Sequence, residues 1–259
     1  MKKSKIAVLV AMVVVLAFSL AACGGSDKSS SDKTVYKVGT EPTFPPFDTT
    51  DEDQNIVGLD MDLIKAIGED QDFDVEFENL SFDGLIPALK AGNIDIVAAG
   101  MNKDDEDRQK EVDFSDSYYE SKLFVAVTED NTTIKSVEDL TPDMKVAAQT
   151  GTTGASKVKE LKDAGKIKEA VVLGGLDTCM MKLINGDVSA VINDKPVTEA
   201  YMKKQPDKIK MVGEALNAEN YGFAVQKGNA ELVEKINNGL KHIKENGTYD
   251  KLVDEWFNK

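Results

Sequence analysis

Residues 72–100 read DFDVEFENLSFDGLIPALKAGNIDIVAAG. Phe73, Val75 and Phe77 alternate with polar residues, which predicts a half-buried strand over 72–78. Residues 82–91 then follow a helical pattern, with Gly92 placed as the C-cap. An apolar strand over 94–99 ends at Gly100. Strand, helix and strand in such close succession argue for an α/β sheet with crossover helices.

The rhythm extends in both directions. Upstream lie a strand over 35–40, a Pro/Phe loop over 41–48, and a helix over 59–69 with Leu59, Leu63, Ile64 and Ile67 on one face. Downstream it restarts: strand 145–149, turn and helix 152–164, strand 171–173, helix 177–185, strand 188–193, helix 197–204. A strand over 221–226 and helices over 230–246 and 249–257 close the chain. The halves share an element order without a close sequence repeat, so two lobes of one architecture are expected.

The N-terminus has a different character. Lys2, Lys3 and Lys5 precede an apolar run over 6–22, and small residues lead to Cys23. This pattern reads as a secretory signal peptide; a membrane anchor is the alternative. Leu20-Ala21-Ala22-Cys23 resembles the lipobox of bacterial lipoproteins, which implies acylation of Cys23, a lipid anchor in the bilayer and an extracytoplasmic protein. Residues 24–33, rich in Gly, Ser, Asp and Lys, read as a flexible leash of roughly 17 Å.

Beyond residue 22 there remain 28 basic and 46 acidic residues, a balance of −18, because the first 22 hold three lysines and no acid. Such a surface repels phosphate backbones, so nucleic acid is excluded as a partner. With Cys23 assigned to lipid, Cys179 has no disulfide partner and reads as a small buried hydrophobe. His242, the single histidine, lies among lysines and glutamates on a late helix. No zinc site and no Ser-His-Asp or Cys-His arrangement can be assembled; neither metal nor cofactor is expected.

Arg108 is the only arginine, against 30 lysines. Its planar fork suits a bidentate grip on a carboxylate, the other reading being a leftover surface residue. Thr150-Gly151-Thr152-Thr153-Gly154 leaves N–H groups open at a helix start, an anion site or a plain N-cap turn. Asp194 follows an apolar strand and faces the ligand crevice of an open α/β sheet, or caps the next helix. Glu41 occupies the matching place after the first strand. Phe44, Phe47 and Phe82 are core aromatics or covers for the apolar stem of a ligand. The acid run over 104–107 reads as the first turn of a helix.

In order and spacing, several segments resemble the amino-acid-binding group of solute-binding proteins that serve ABC importers. They are GTEPTFPPF over 39–47, GLDMDL over 58–63, FDGLIPAL over 82–89, and Arg108 leading into VDFSDSYY over 112–119. NGTYDK over 246–251, followed by Trp256-Phe257, completes the set. The resemblance implies a two-lobed periplasmic-binding-protein-like fold (type II) with two hinge strands, crossing near 118–122 and 216–220. With the signal peptide over 1–22 and lipidated Cys23 with its linker over 23–33 read from the N-terminus, the resemblance divides the rest into one lobe from 34–119 plus 221–259 and a second over 120–220. It implies that Arg108 binds a ligand carboxylate with backbone at Thr152 and Thr153. Asp194 takes the ammonium with Glu41 and a carbonyl at Ala99 or Gly100, while Phe44 and Phe82 sandwich the side chain. Compared with relatives, the loop before Arg108 carries one extra residue, and Asn102 stands in for a family threonine. Asp60 belongs to a family motif and reads as structural. Gln149, Asn193, Asn102 and Phe82 suggest a polar amino acid such as glutamine, delivered to an ABC permease. A dehydratase on the same fold, or a sensor or adhesin lipoprotein, is the competing expectation.

Overall fold

The structure is a computed structural model that describes residues 33–258. The expected signal peptide, Cys23 and all of the leash but Lys33 lie outside the described residues. Residues 34–258 lie within one compact unit.

Two sheets organise it. Strand β1 (Thr34–Thr40) leads through a short hairpin, β2 (Thr49–Thr50) with β3 (Ile56–Val57), into helix α1 (Leu59–Gln71). The helix buries Leu59, Leu63, Ile64 and Ile67, the stripe expected from its periodicity. The chain then returns as β4 (Phe73–Asn79), parallel to β1 along its whole length. Helix α2 (Phe82–Lys90) carries it to β5 (Ile96–Val97), parallel to β1 on the other side. A short helix α3 (Glu106–Glu111) precedes β6 (Val112–Phe114).

The chain then enters β7 (Tyr119–Thr128), a strand of ten residues. The second sheet is built on it. β8 (Lys145–Gln149), α4 (Thr153–Asp163), β9 (Glu169–Leu173), α5 (Leu176–Ile184) and β10 (Ala190–Asp194) form a parallel unit, and β10 pairs antiparallel with β7. After α6 (Lys195–Lys204), β11 (Ile209–Val212) joins the other edge of β7. β12 (Ala218–Tyr221) runs back along the start of β7, with Tyr221 opposite Tyr119 and Ala218 opposite Lys122. β13 (Ala224–Gln226) then inserts between β5 and β6, giving the first sheet the order β4-β1-β5-β13-β6. Helices α7 (Ala230–Glu245) and α8 (Thr248–Phe257) finish the fold.

The sequence-based elements hold in kind and shift in detail. The strand expected over 94–99 pairs only at Ile96–Val97, and that over 188–193 runs to Asp194. The single strand expected over 221–226 is two, because the chain changes sheets at Gly222 and Phe223. β6, β11 and most of β7 were not foreseen; they join two halves whose internal rhythm alone was legible. Where the sheets meet, Phe47 packs edge-on against Tyr119, Tyr221 and Phe257 at 4.9, 5.0 and 5.7 Å between ring centroids. This aromatic knot fixes the loop after β1 against both β7 and β12. Cys179 is buried as expected, and His242 is an exposed partner of Asp70 at 2.8 Å.

Gly58 opens α1 with φ +148, and a Cβ there would stand 2.0 Å from the Phe47 carbonyl oxygen. Gly58→Ala should therefore lower stability by about 2 kcal/mol or more, read as a fall in the urea midpoint at unchanged m-value.

Candidate functional site

In both sheets the strand order reverses about a central strand: β1 lies between β4 and β5, and β8 between β9 and β10. Chains leave such a point in opposite directions and open a crevice at the carboxyl ends of the strands. Every candidate from the sequence derives from these ends or from a helix start beside them. Glu41 and Phe44 follow β1; Ala99, Gly100 and Asn102 follow β5. Gln149, Thr152 and Thr153 follow β8, and Asp194 ends β10. Phe82 begins α2, and Arg108 lies on α3.

The structure brings all of these residues to one cavity, together with Glu219 of β12. About 320 Å³ lies between the lining groups, but only about 10 Å³ of it admits a water molecule. A larger, more open groove, about 1390 Å³ against those 320 Å³, runs past Pro45, Pro196, Met202 and Trp256 and gathers no comparable set of converging charges.

Hydrogen bonds close the cavity from both sides. Arg108 Nη2 donates to the Gly151 carbonyl at 3.0 Å, and Nη1 donates to the Asn102 carbonyl at 3.1 Å. Gln149 Nε2 donates to Glu41 Oε2 at 2.7 Å, and Tyr201 OH donates to the Thr43 carbonyl at 3.0 Å. The approach is close enough that a Cβ on Gly151, whose φ is +79, would lie 3.0 Å from the Asp83 Cβ.

The geometry decides several readings left open above. Arg108 is buried, with its guanidinium 5.4 Å from the Phe82 ring centroid, so it is no surface remnant. Phe82 thus offers that face to Arg108, while Phe44 packs toward Tyr221 at 6.3 Å. The acid run acts as expected of a helix start: Asp105 Oδ1 accepts the Asp107 and Arg108 N–H groups at 3.0 Å. Thr152 caps α4 through Ala155 N–H and still lines the cavity. Asp194 holds the N-cap position of α6 without capping it; its Oδ1 accepts instead from Ser121 Oγ at 3.0 Å and Tyr221 OH at 2.5 Å. Asn102 Oδ1 accepts the Asn220 and Asp104 N–H groups, each at 3.2 Å, tying the loop before Arg108 to β12.

Charge in the cavity is lopsided: Glu41, Asp194 and Glu219 face one guanidinium. Burial lowers the proton affinity of Arg108, and Asp105, Glu219 and Asp194 oppose that shift. Burial raises Asp194 well above the carboxylate range, and the neighbouring Glu219 charge raises it further. Glu219 is itself raised by burial, with Thr153, Asn217 and Arg108 pulling it back. Burial also raises Glu41, opposed by its bonds from Gln149 and Thr43. Glu219 was missed in the sequence. The available signal was its place on the expected second crossing, two residues from Tyr221 and hence on the same strand face.

Beneath the cavity, Asp60 Oδ2 accepts Gly100 N–H at 2.8 Å and Tyr118 OH at 2.7 Å, while its Oδ1 has no partner among the described residues. It ties the cavity wall to the start of β7, a structural role. Burial pushes its carboxyl up to about 7. An ordinary unfolded-chain Asp titrates near about 3.9, so its stabilising contribution is present at low pH and is lost as pH rises through neutrality. Asp60→Asn keeps one acceptor oxygen and cannot ionise. Its stability relative to the parent should therefore rise between pH 5 and pH 8, on the order of 1–4 kcal/mol, in denaturant titrations at each pH.

No helix among the described residues is long and apolar enough to cross a membrane, and no three His, Cys, Asp or Glu side chains among them gather as a metal site. Residues 36–259 match the family described as bacterial extracellular solute-binding proteins, family 3. The chain is 34% identical over 252 residues to a probable histidine-binding protein of Neisseria gonorrhoeae, covering 94% of this chain and 92% of that one. It is also 34% identical over 265 residues to a putative ABC transporter arginine-binding protein of Escherichia coli K12, covering 100% of each. Among solved structures, an ancestral arginine-binding protein bound to arginine superposes with a TM-score of 0.82 at 44% identity, over 87% of this chain and 99% of that one. An ancestral arginine-binding protein bound to glutamine gives 0.80 at 44% identity, over 88% and 99%. Sequence, sheet order and superposition agree, and the chain belongs to the bacterial extracellular solute-binding proteins, family 3.

Proposed function

We propose that the protein captures a free amino acid between its two sheet-based lobes and hands it to an ABC transporter permease while anchored to the membrane through acylated Cys23. The observation that carries this reading is a single cavity in which one buried guanidinium faces three carboxyl groups. An amino acid is a zwitterion, and a dry cavity must answer both of its charges. The carboxylate takes the Arg108 fork, displacing the Gly151 carbonyl from Nη2, and reaches the N-terminus of α4 at Thr152 and Thr153. The ammonium goes to Asp194. Residues 34–119 with 221–259 move against residues 120–220 about β7 and β12, and closure follows because the contacts to the ligand come from both sides.

The excess of acid bears on the side chain. With Asp194 assigned to the ammonium, Glu41 remains at the cavity edge with Gln149 beside it. A basic side chain suits that charge better than the glutamine-like ligand suggested by the polar residues alone. The names of the relatives, for histidine and arginine, support the same direction.

A thermal-shift screen against the common amino acids tests this. Arginine, lysine or histidine at about 100 times its Kd should raise Tm by roughly 5–10 °C, the effect of about 2.7 kcal/mol on a chain of this size. A screen in which no amino acid moves the transition refutes the reading. Arg108→Ala should weaken binding by about two to three and a half decades, because it leaves a carboxylate buried without its partner at roughly 3–5 kcal/mol. Calorimetry giving near-parental affinity would remove Arg108 from the site.

A further inference from the structure

Glu219 is 2% exposed, on a strand otherwise occupied with crossing between the sheets. Its ladder partner on β7 is Ser121, whose hydroxyl donates to Asp194. Tyr221, on the same face of β12, donates to the same Asp194 oxygen. Asn217 Nδ2 donates to Glu219 Oε1 at 3.1 Å. Ser121 thus brings the two acids together in one cavity, and both are buried. Two buried carboxyl groups so placed repel each other when both are ionised, and a proton on either one relieves the pair. The charged groups around the pair are Arg108 from α3 and Glu41 across the cavity; Tyr221 faces it from β12.

Resting on the amino-acid reading above, we propose that Glu219 is a ligand-binding residue: with Asp194 it forms a two-carboxylate seat for the ligand's ammonium, which enters in place of a proton held by the pair. An ammonium brings its own hydrogens to both acids, so the displaced proton leaves to solvent. The site would then trade a proton for each amine it takes in. Burial raises both acids, as such an exchange near neutral pH requires.

Calorimetry at pH 6–7, in two buffers of different ionisation enthalpy, counts the proton. Titrating the parent protein with its best-binding basic amino acid should release about one proton, with affinity rising as pH rises toward 8. Glu219→Gln should abolish most of that release, flatten the pH profile and weaken binding by about tenfold. Glu234→Gln, exposed on α7 and away from the cavity, should retain the release. Saturable binding by the parent with no proton release, or a Glu219→Gln variant that matches the parent in release and affinity, overturns the proposal while leaving amino-acid capture intact. No binding of any amino acid by the parent instead refutes the underlying function, and this proposal with it. Should Glu219→Gln fail to melt cooperatively, the parent is titrated with the α-deamino analogue of the same amino acid. Proton release should then vanish, and release equal to that of the amino acid overturns the proposal.

Discussion

Arg108 is withdrawn from water between two sheets, and a guanidinium so placed must be met by carbonyl oxygens or by opposite charge. Much of the surrounding structure answers that need. The Asn102 and Gly151 carbonyls take two of its N–H groups, one from each sheet's side of the cavity. Three acids line the same space, and the Phe82 ring covers one face of the fork. In turn the acids outnumber the one cation: burial raises Asp194, Glu219 and Glu41, and the Glu219 charge raises Asp194 further. A surplus of buried carboxyl groups is unfavourable by itself, and it is the kind of imbalance that a cationic partner relieves.

The scaffold under this imbalance is rigid where it needs to hold position. The cavity wall at Gly100 is bonded to Asp60, and Asp60 to Tyr118, one residue before β7. Tyr118 stacks on Phe223 at 4.5 Å, and its carbonyl accepts from Tyr249 of α8 at 2.6 Å. Binding groups, crossing strands and the C-terminal helices are thereby linked through side chains that leave little slack.

Much of this was legible because it rests on local periodicity. The alternation of Phe73, Val75 and Phe77, the stripe of α1 and the runs ending at Gly100 and Asp194 are short-range signals. They also mark strand ends, where ligands gather in open α/β sheets, so the lining residues could be named together. What stayed hidden depends on long-range pairing. β7 and β12 acquire their meaning only from each other, and Glu219 enters the cavity only because β12 lies against Ser121. Nothing near residues 221–226 announces that Ala224–Gln226 belongs to a different sheet from Tyr221. The side chain of Asp194 was ambiguous for a related reason: a cap and a pocket acid look alike until Ser121 and Tyr221 are brought to it.

The position of β13 has a consequence for how the molecule assembles. β13 occupies the gap between β5 and β6 yet lies far beyond both in the chain. The β8–β10 unit can complete itself from contiguous sequence, whereas the other sheet must keep two facing strand edges unsatisfied until the last fifth of the polypeptide arrives. Pairing of that kind is slow, and open edges invite the wrong neighbour in the meantime. For a chain that emerges N-terminus first, the vulnerable interval is therefore set by the delay before residues 224–226 appear, and a helper that shields the β5 edge would act on that interval.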